Sequence, residues 1–209
     1  MSTSHRPPLQ RIADSVRLPL RSIHRLSASV LGVFVLLHLA NHVAGFAGQD
    51  VHRTVQLALR WVYRGWLEPL VLVACAVQVG TGLRLVWLRR RSARRFSLQP
   101  LSGLYLALFM AIHVTAVLQA RWRGIDTDLA FAAAGMHAGY WQLFFAPYYG
   151  LAVLAFGLHV SVPVGWRQPR LARAIVFGAA ALALGLVALL AGVITPLTIA
   201  PALIQVFPQ

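Results

Sequence analysis

Five apolar stretches of about 20 residues constrain this chain more than any other feature of its sequence. They lie at residues 26–46, 67–88, 101–118, 143–164 and 175–194, and are called spans I to V in chain order. The hydrocarbon layer of a bilayer is about 30 Å thick, and a helix needs about 20 apolar residues to cross it. The sequence therefore predicts an all-α membrane bundle of five transmembrane helices. Because the spans use most of the 209 residues, we expect no separate soluble domain.

The segments outside the bundle are short. Residues 1–21 are basic, and their apolar residues recur at helical spacing, which predicts a short surface helix that ends at Pro19. Residues 22–195 form the transmembrane domain, and residues 196–209 form an apolar tail that contains proline. The apolar run at residues 129–139, between spans III and IV, is too short to cross and predicts a surface or re-entrant helix.

The charge distribution predicts the orientation of the bundle. The chain has 19 basic residues, all arginine, against five acids, and its net charge is +14. Arginine is enriched in cytoplasmic loops of membrane proteins. With the N-terminus inside, 14 arginines lie inside, including the run at residues 89–95, and five lie outside. We therefore expect an N-in, C-out protein of a bacterial inner membrane, and no binding of nucleic acid because no soluble basic face exists to carry it.

Polar and ionisable side chains inside the spans are the candidates for function, because such groups are costly in a bilayer and usually have a task. His38 and His113 each follow the start of their span by 12 residues, so at about 1.5 Å per residue both lie about 18 Å from the inner face. Two neutral imidazoles at one depth can supply both axial ligands of a haem iron. His42, one turn after His38, is a competing ligand. His159 lies in the inner half of span IV, where only Gln78 or His24 could partner it.

Two motifs resemble the cytochrome b membrane anchor of succinate dehydrogenase and fumarate reductase. Residues 22–27, Ser-Ile-His-Arg-Leu-Ser, resemble the entry S-x-x-H-R-x-S/T of the first span, with Arg21 at the first serine position. Residues 78–84, Gln-Val-Gly-Thr-Gly-Leu-Arg, resemble the H-x-x-x-G-[apolar]-R stretch of the second span. The likeness covers residues 21–165, and five spans in one chain fit the single-subunit form of the family.

The resemblance implies a set of ligands and partners. In two-haem anchors the first and third spans hold the haem farther from the dehydrogenase, which implies His38 and His113 here. The second and fourth spans hold the nearer haem, which implies Gln78 and His159. Gln78 replaces a haem-ligating histidine, and a carboxamide is a poor ligand, so we expect one haem b and leave the second open. The resemblance also places quinone or haem propionates at the inner face, near four residues: His24, Arg25, Ser27 and Arg84.

The function expected on this basis is that of an anchor and electron-transfer subunit, not of a dehydrogenase. The chain has no nucleotide-binding glycine fingerprint, and its single Cys75 cannot build an iron–sulfur cluster. Flavoprotein and iron–sulfur subunits on the inner face would supply electrons to haem b and quinone. Two alternatives stay open: a haem-free structural subunit, and a free-standing b-type cytochrome. His24 and His38 are 14 residues apart, which suits two haems on one helix, although spans III and IV carry one histidine each.

Overall fold

The computed structural model of the protein describes residues 8–90 and 97–207. In this part of the chain the fold is entirely helical, without strands. The α-helices, in chain order, are α1 (Pro8–Ala44), α2 (Gln49–Ala58), α3 (Arg60–Tyr63), α4 (Glu68–Arg89), α5 (Leu98–Trp122), α6 (Leu129–Ala134), α7 (Gln142–Gly165), α8 (Pro169–Leu190) and α9 (Pro201–Ile204).

Five helical stretches in the described residues are long and apolar enough to cross a membrane, which confirms the five-span prediction. They are Pro19–Ala47, Glu68–Arg89, Leu98–Trp122, Gly139–Gly165 and Pro169–Leu190. The predicted orientation stays a prediction. Residues 91–96, which include much of the arginine run used to derive it, lie outside the described residues, as do residues 1–7 and 208–209.

The predicted helix end at Pro19 is wrong, because α1 runs through this residue without interruption. Proline lacks the N–H that would bond to the carbonyl four residues earlier, so it removes one hydrogen bond from the helix interior. The continuous helical segments on both sides outweigh that loss here. From Pro8 onward, the basic segment therefore continues into span I as one helix of 37 residues that ends at Ala44.

The connection between the third and fourth spanning helices is helical but short, as predicted. It consists of α6 and two 3₁₀ turns, Gly135–His137 and Gly139–Trp141. Asp128 caps α6 by accepting a hydrogen bond from the Phe131 amide at 3.0 Å. Leu129, fully buried, packs with Leu189 at the end of α8.

Four of the spanning helices surround a central space. Helix α1 packs on α4, α4 packs on α5, and α5 packs on α7. The fifth spanning helix, α8, packs along α7. A side chain at Gly157 would overlap Ala179, so glycine allows the close approach of α7 and α8. This arrangement leaves α1 facing α5 and α7 across the middle of the bundle, where the polar residues of the spans lie.

Candidate functional site

One cavity of about 1210 Å³ runs through the bundle between α1, α4, α5 and α7. Sites for drug-sized ligands occupy about 300–1,000 Å³, so this cavity has room for a large cofactor. Its lining is mostly apolar, and imidazoles are prominent among the polar groups. The lining histidines are His24, His38, His42, His52, His113 and His159.

His38 on α1 and His113 on α5 face each other across this cavity and are called the 38/113 pair. Their ring centroids are 6.0 Å apart and their planes are inclined by 68°. A metal–imidazole bond is about 2.0–2.1 Å long and a ring centre lies about 1 Å beyond its nitrogen, so two imidazoles on opposite sides of one ion have centroids about 6 Å apart. The structure therefore brings the two residues selected by depth to a separation that suits a shared metal.

Aromatic stacking holds both rings of the 38/113 pair. Phe34, one turn before His38, stacks on it with a centroid distance of 5.7 Å and an angle of 10°. Phe109 stands in the same relation to His113, at 5.0 Å and 13°. Each phenylalanine thus restricts the plane of its imidazole from the N-terminal side of the histidine.

A second cluster of polar groups adjoins the 38/113 pair. The His42 ring lies 4.7 Å from that of His38 and 5.5 Å from that of His52, between centroids. His52 on α2 is only 2% exposed, and its Nε2 lies 3.2 Å from Asn41 Nδ2. Burial lowers the pKa of His52, an effect that Asp128 partly offsets, so this imidazole is neutral. Asn41 Oδ1 and His52 Nδ1 have no hydrogen-bond partner in the part of the chain that the structure describes.

His52 could not be identified from depth within the spans, because it lies outside them. The signal that could have found it is the helical spacing of His52 and Val55, which places an imidazole on the inward face of a short amphipathic helix. Such a helix gives no hydropathy signal of its own. Its burial depends on the fold of the loop that carries it.

His24 on α1 and His159 on α7 form a second facing pair, called the 24/159 pair. Their ring centroids are 6.5 Å apart and their planes are inclined by 72°. This separation is also close to the value of about 6 Å for two imidazoles on one metal. The resemblance places Gln78 opposite His159, and the structure adds His24 as an imidazole facing it.

A chain of hydrogen bonds fixes the tautomer of His24. The Thr81 hydroxyl donates to the Val77 carbonyl at 2.6 Å, so its oxygen accepts from His24 Nδ1–H at 2.9 Å. The lone pair is then on His24 Nε2, and the Gln78 amide donates to it at 3.2 Å. Gln78 Oε1 in turn accepts from the Ser27 hydroxyl at 2.6 Å. Gln78 therefore acts here as a hydrogen-bond partner of α1.

His159 has the same tautomer for a similar reason. Its Nδ1 lies 3.1 Å from the Gln99 carbonyl oxygen, which can only accept, so Nδ1 carries the proton and Nε2 the lone pair. Ser102 Oγ lies 3.3 Å from the same nitrogen. Neutral imidazole with one nitrogen bonded to a carbonyl and the other available is the form that ligates metals.

Glycines on neighbouring helices make room for both rings of the 24/159 pair. A Cβ on Gly82 of α4 would lie 3.3 Å from His24 Cε1. A Cβ on Gly103 of α5 would lie 3.0 Å from His159 Cε1. Both distances are tighter than ordinary contact, so larger residues at these positions would press on the imidazoles.

The other residues expected at the inner face are only partly brought together. Arg25 lines the cavity, and its Nε donates to the Arg21 carbonyl at 3.4 Å. Arg84 does not line the cavity as described; its guanidinium lies 4.3 Å from the centre of the Trp87 ring. Ser27 is buried and bonded to Gln78.

An ion pair lies in the same cavity as the 38/113 pair. Arg121 Nη1 is 2.7 Å from Glu68 Oε1, and both side chains are largely shielded from solvent. Arg121 is close enough to His38 and His113 to act on them electrostatically. It is the one charged side chain of α5 and follows His113 by eight residues.

The chemistry of the donor set indicates what kind of metal site these pairs could form. Among the described residues, no group of three or more His, Cys, Asp or Glu side chains is arranged to hold a metal ion by itself. Two imidazoles are fewer ligands than a protein site for a bare metal ion uses, so such a pair would suit a metal whose other ligands come from a cofactor. Comparison with protein-family models, curated proteins and solved structures finds no match to this chain.

Proposed function

We propose that this protein is a b-type cytochrome that serves as membrane anchor and electron-transfer subunit of a succinate:quinone oxidoreductase-type complex. The observation that carries the proposal is the 38/113 pair, two imidazoles from different spanning helices with centroids 6.0 Å apart in one large cavity. The sequence also places both histidines at equal depth, 12 residues from the start of their spans. A haem b held between His38 and His113 accounts for both observations.

The residues present fit a haem. The cavity is mostly apolar, and small residues on the facing helices, such as Gly32 and Ala107, leave room for a flat macrocycle. His38 and His113 would hold the haem iron there, and the group would supply reversible one-electron chemistry. The chain itself would ligate the iron, fix the imidazole planes through Phe34 and Phe109, and exclude water.

The partners proposed for the complex follow from the motif resemblance. Flavoprotein and iron–sulfur subunits would dock at the end of the bundle that carries His24 and Arg25, and a quinone would exchange electrons near it. Arginine is suited to binding carboxylate or carbonyl groups of such ligands. The cavity reaches both residues, so a ligand at this end could contact the same space that holds the haem.

Haem content tests the proposal directly. The full chain is purified in detergent, and its dithionite-reduced minus oxidised spectrum and pyridine haemochrome are measured. We expect a sharp α-band of low-spin haem b in the unmodified protein. In His38→Leu and in His113→Leu, the contribution of haem at the 38/113 pair to this band should be lost. His137→Gln is the control, because His137 lies outside the cavity lining and bonds the Leu190 carbonyl at 3.0 Å. A protein without haem would instead favour the haem-free structural subunit.

Two further measurements separate the remaining alternatives. His42→Leu retains the band if His38 is the ligand, and loses it if the imidazole one turn later is. Purification of the tagged chain from native membranes identifies its partners. Copurified flavoprotein and iron–sulfur subunits support the anchor function, and isolation as a single chain with haem favours a free-standing cytochrome.

A further inference from the structure

We infer that His24 and His159 are the axial ligands of a second haem, so that α1 contributes one ligand to each of two haems. This inference rests on the proposed function, since it concerns a second site in the same cavity. It departs from the motif resemblance, which gives the ligand position on the second span to residue 78. The observation behind it is the 24/159 pair, with ring centroids 6.5 Å apart.

The hydrogen bonds of the pair give both rings the tautomer that metal ligation through Nε2 requires. Each ring has its Nδ1 proton bonded to a group that accepts: Thr81 Oγ1 for His24 and the Gln99 carbonyl for His159. Metal-ligating histidines usually donate their other ring N–H in this way. Both rings therefore keep Nε2 as the atom with the lone pair, and this holds independently on two different helices.

Gln78 is better placed to support His24 than to replace it. Its oxygen, the only atom of the carboxamide able to ligate iron, is bonded to Ser27 at 2.6 Å. Its nitrogen donates to the His24 lone pair at 3.2 Å. The lone pair of His24 Nε2 is thus occupied by the amide in the structure, and a bond from Nε2 to iron would have to replace this hydrogen bond.

Glycine at two further positions gives independent support. Gly82 and Gly103 lie on α4 and α5, the two helices that contribute no imidazole to this pair. A Cβ at either position would lie within 3.3 Å of an imidazole carbon. The helices beside the pair are thus shaped to admit both rings.

The two pairs are arranged as two sites along one helix. His24 and His38 are 14 residues apart, about 21 Å along α1 at about 1.5 Å per residue. Fourteen residues are close to four helical turns, so both rings project from a similar side of α1. Their partners are divided between α5 and α7, which answers the objection that no single second helix carries a matching pair.

The experiment counts haems in the purified full-length protein and resolves them by redox titration and by electron paramagnetic resonance of the ferric state. We expect two haems per chain, each with the strongly anisotropic low-spin signal of ligand planes inclined at a large angle, here 72° and 68°. His24→Leu and His159→Leu should each leave one haem per chain. The signal that remains should be the one lost in His38→Leu, which also reports that the variant has folded.

Two further variants test the assignment of the ligand. His24→Met offers a thioether ligand, so we expect it to restore the second haem with a higher midpoint potential, which a structural role of His24 would not produce. Gln78→Leu should retain both haems. Loss of the second haem in Gln78→Leu but not in His24→Leu would overturn the inference.

The outcomes also separate this inference from the proposed function. One haem per chain in the unmodified protein, lost in His38→Leu, would overturn the second site and leave the proposed function intact. A protein with no haem in any preparation would overturn both.

Discussion

The two imidazole pairs have similar separations but are held by different forces. In the 24/159 pair the Nδ1–H groups donate to Thr81 Oγ1 and to the Gln99 carbonyl, and these hydrogen bonds fix the tautomers. In the 38/113 pair stacked phenylalanines fix the ring planes, and an ion pair lies in the same cavity. Hydrogen bonds set which nitrogen can ligate, whereas stacking sets the direction in which the ring faces. Different substitutions should therefore impair haem binding at the two pairs.

The largest contrast is expected for Thr81→Val, which removes the acceptor for His24 Nδ1–H without changing the shape of the side chain much. Loss of such a partner typically lowers metal affinity by about 10–100-fold. We expect haem affinity to fall by this amount at the 24/159 pair and to stay constant at the 38/113 pair. Haem titration of the apoprotein measures both sites.

Thr81→Ser is the matched control, since it keeps the hydroxyl and should keep the affinity. An equal loss at both pairs in Thr81→Val would show that the substitution disturbs the bundle as a whole. In that case the pairs would not be held independently.

An intermediate effect is expected when the charge beside the 38/113 pair changes. Glu68→Gln leaves the Arg121 charge without its carboxylate, which favours the reduced iron and should raise the midpoint potential of this haem by roughly tens of millivolts. Arg121→Gln leaves the carboxylate and should lower it. Redox titration of each variant measures the shift. Shifts of the same sign in the two variants would contradict this electrostatic account.

The smallest effect is expected from two glycines of α4. Gly82→Ala places a methyl 3.3 Å from His24 Cε1, so the ring must move by a few tenths of an ångström and haem affinity at the 24/159 pair should fall several-fold. Gly80→Ala is the control, because a Cβ there meets nothing within 4 Å, while both variants gain the same helix propensity of about 1 kcal/mol. Equal haem affinity in the two variants would show that the space at Gly82 has no role in seating His24.

Much of the fold could be predicted because hydropathy and length alone determine which helices can span a bilayer. The predicted span II, residues 67–88, differs from α4, Glu68–Arg89, by one residue at each end. Pro19 misled the prediction, because a single lost hydrogen bond does not end a helix that is favourable on both sides. Orientation rests on loop arginines, and no contact within the bundle bears on it.

Only those site residues whose proximity follows from their depth along the spans could be predicted from the sequence. His38 and His113 lie at equal depth on helices that both start from the same face, so residue counting identified them. His24 was one of two possible partners of His159, together with Gln78, because counting gives depth along a helix but not which neighbour the side chain faces. His52 was missed because its burial depends on how α2 folds back over the bundle.

Helix α1 supplies one ring to each pair, so a movement of α1 affects both pairs. A slip of α1 by one residue, about 1.5 Å along its axis, would move His24 and His38 together and so alter the geometry at both sites. A similar slip of α5 would alter only the 38/113 pair, and one of α7 only the 24/159 pair. A displacement of α1 would thus change both pairs at once, while α5 and α7 can each be displaced with an effect on one pair alone.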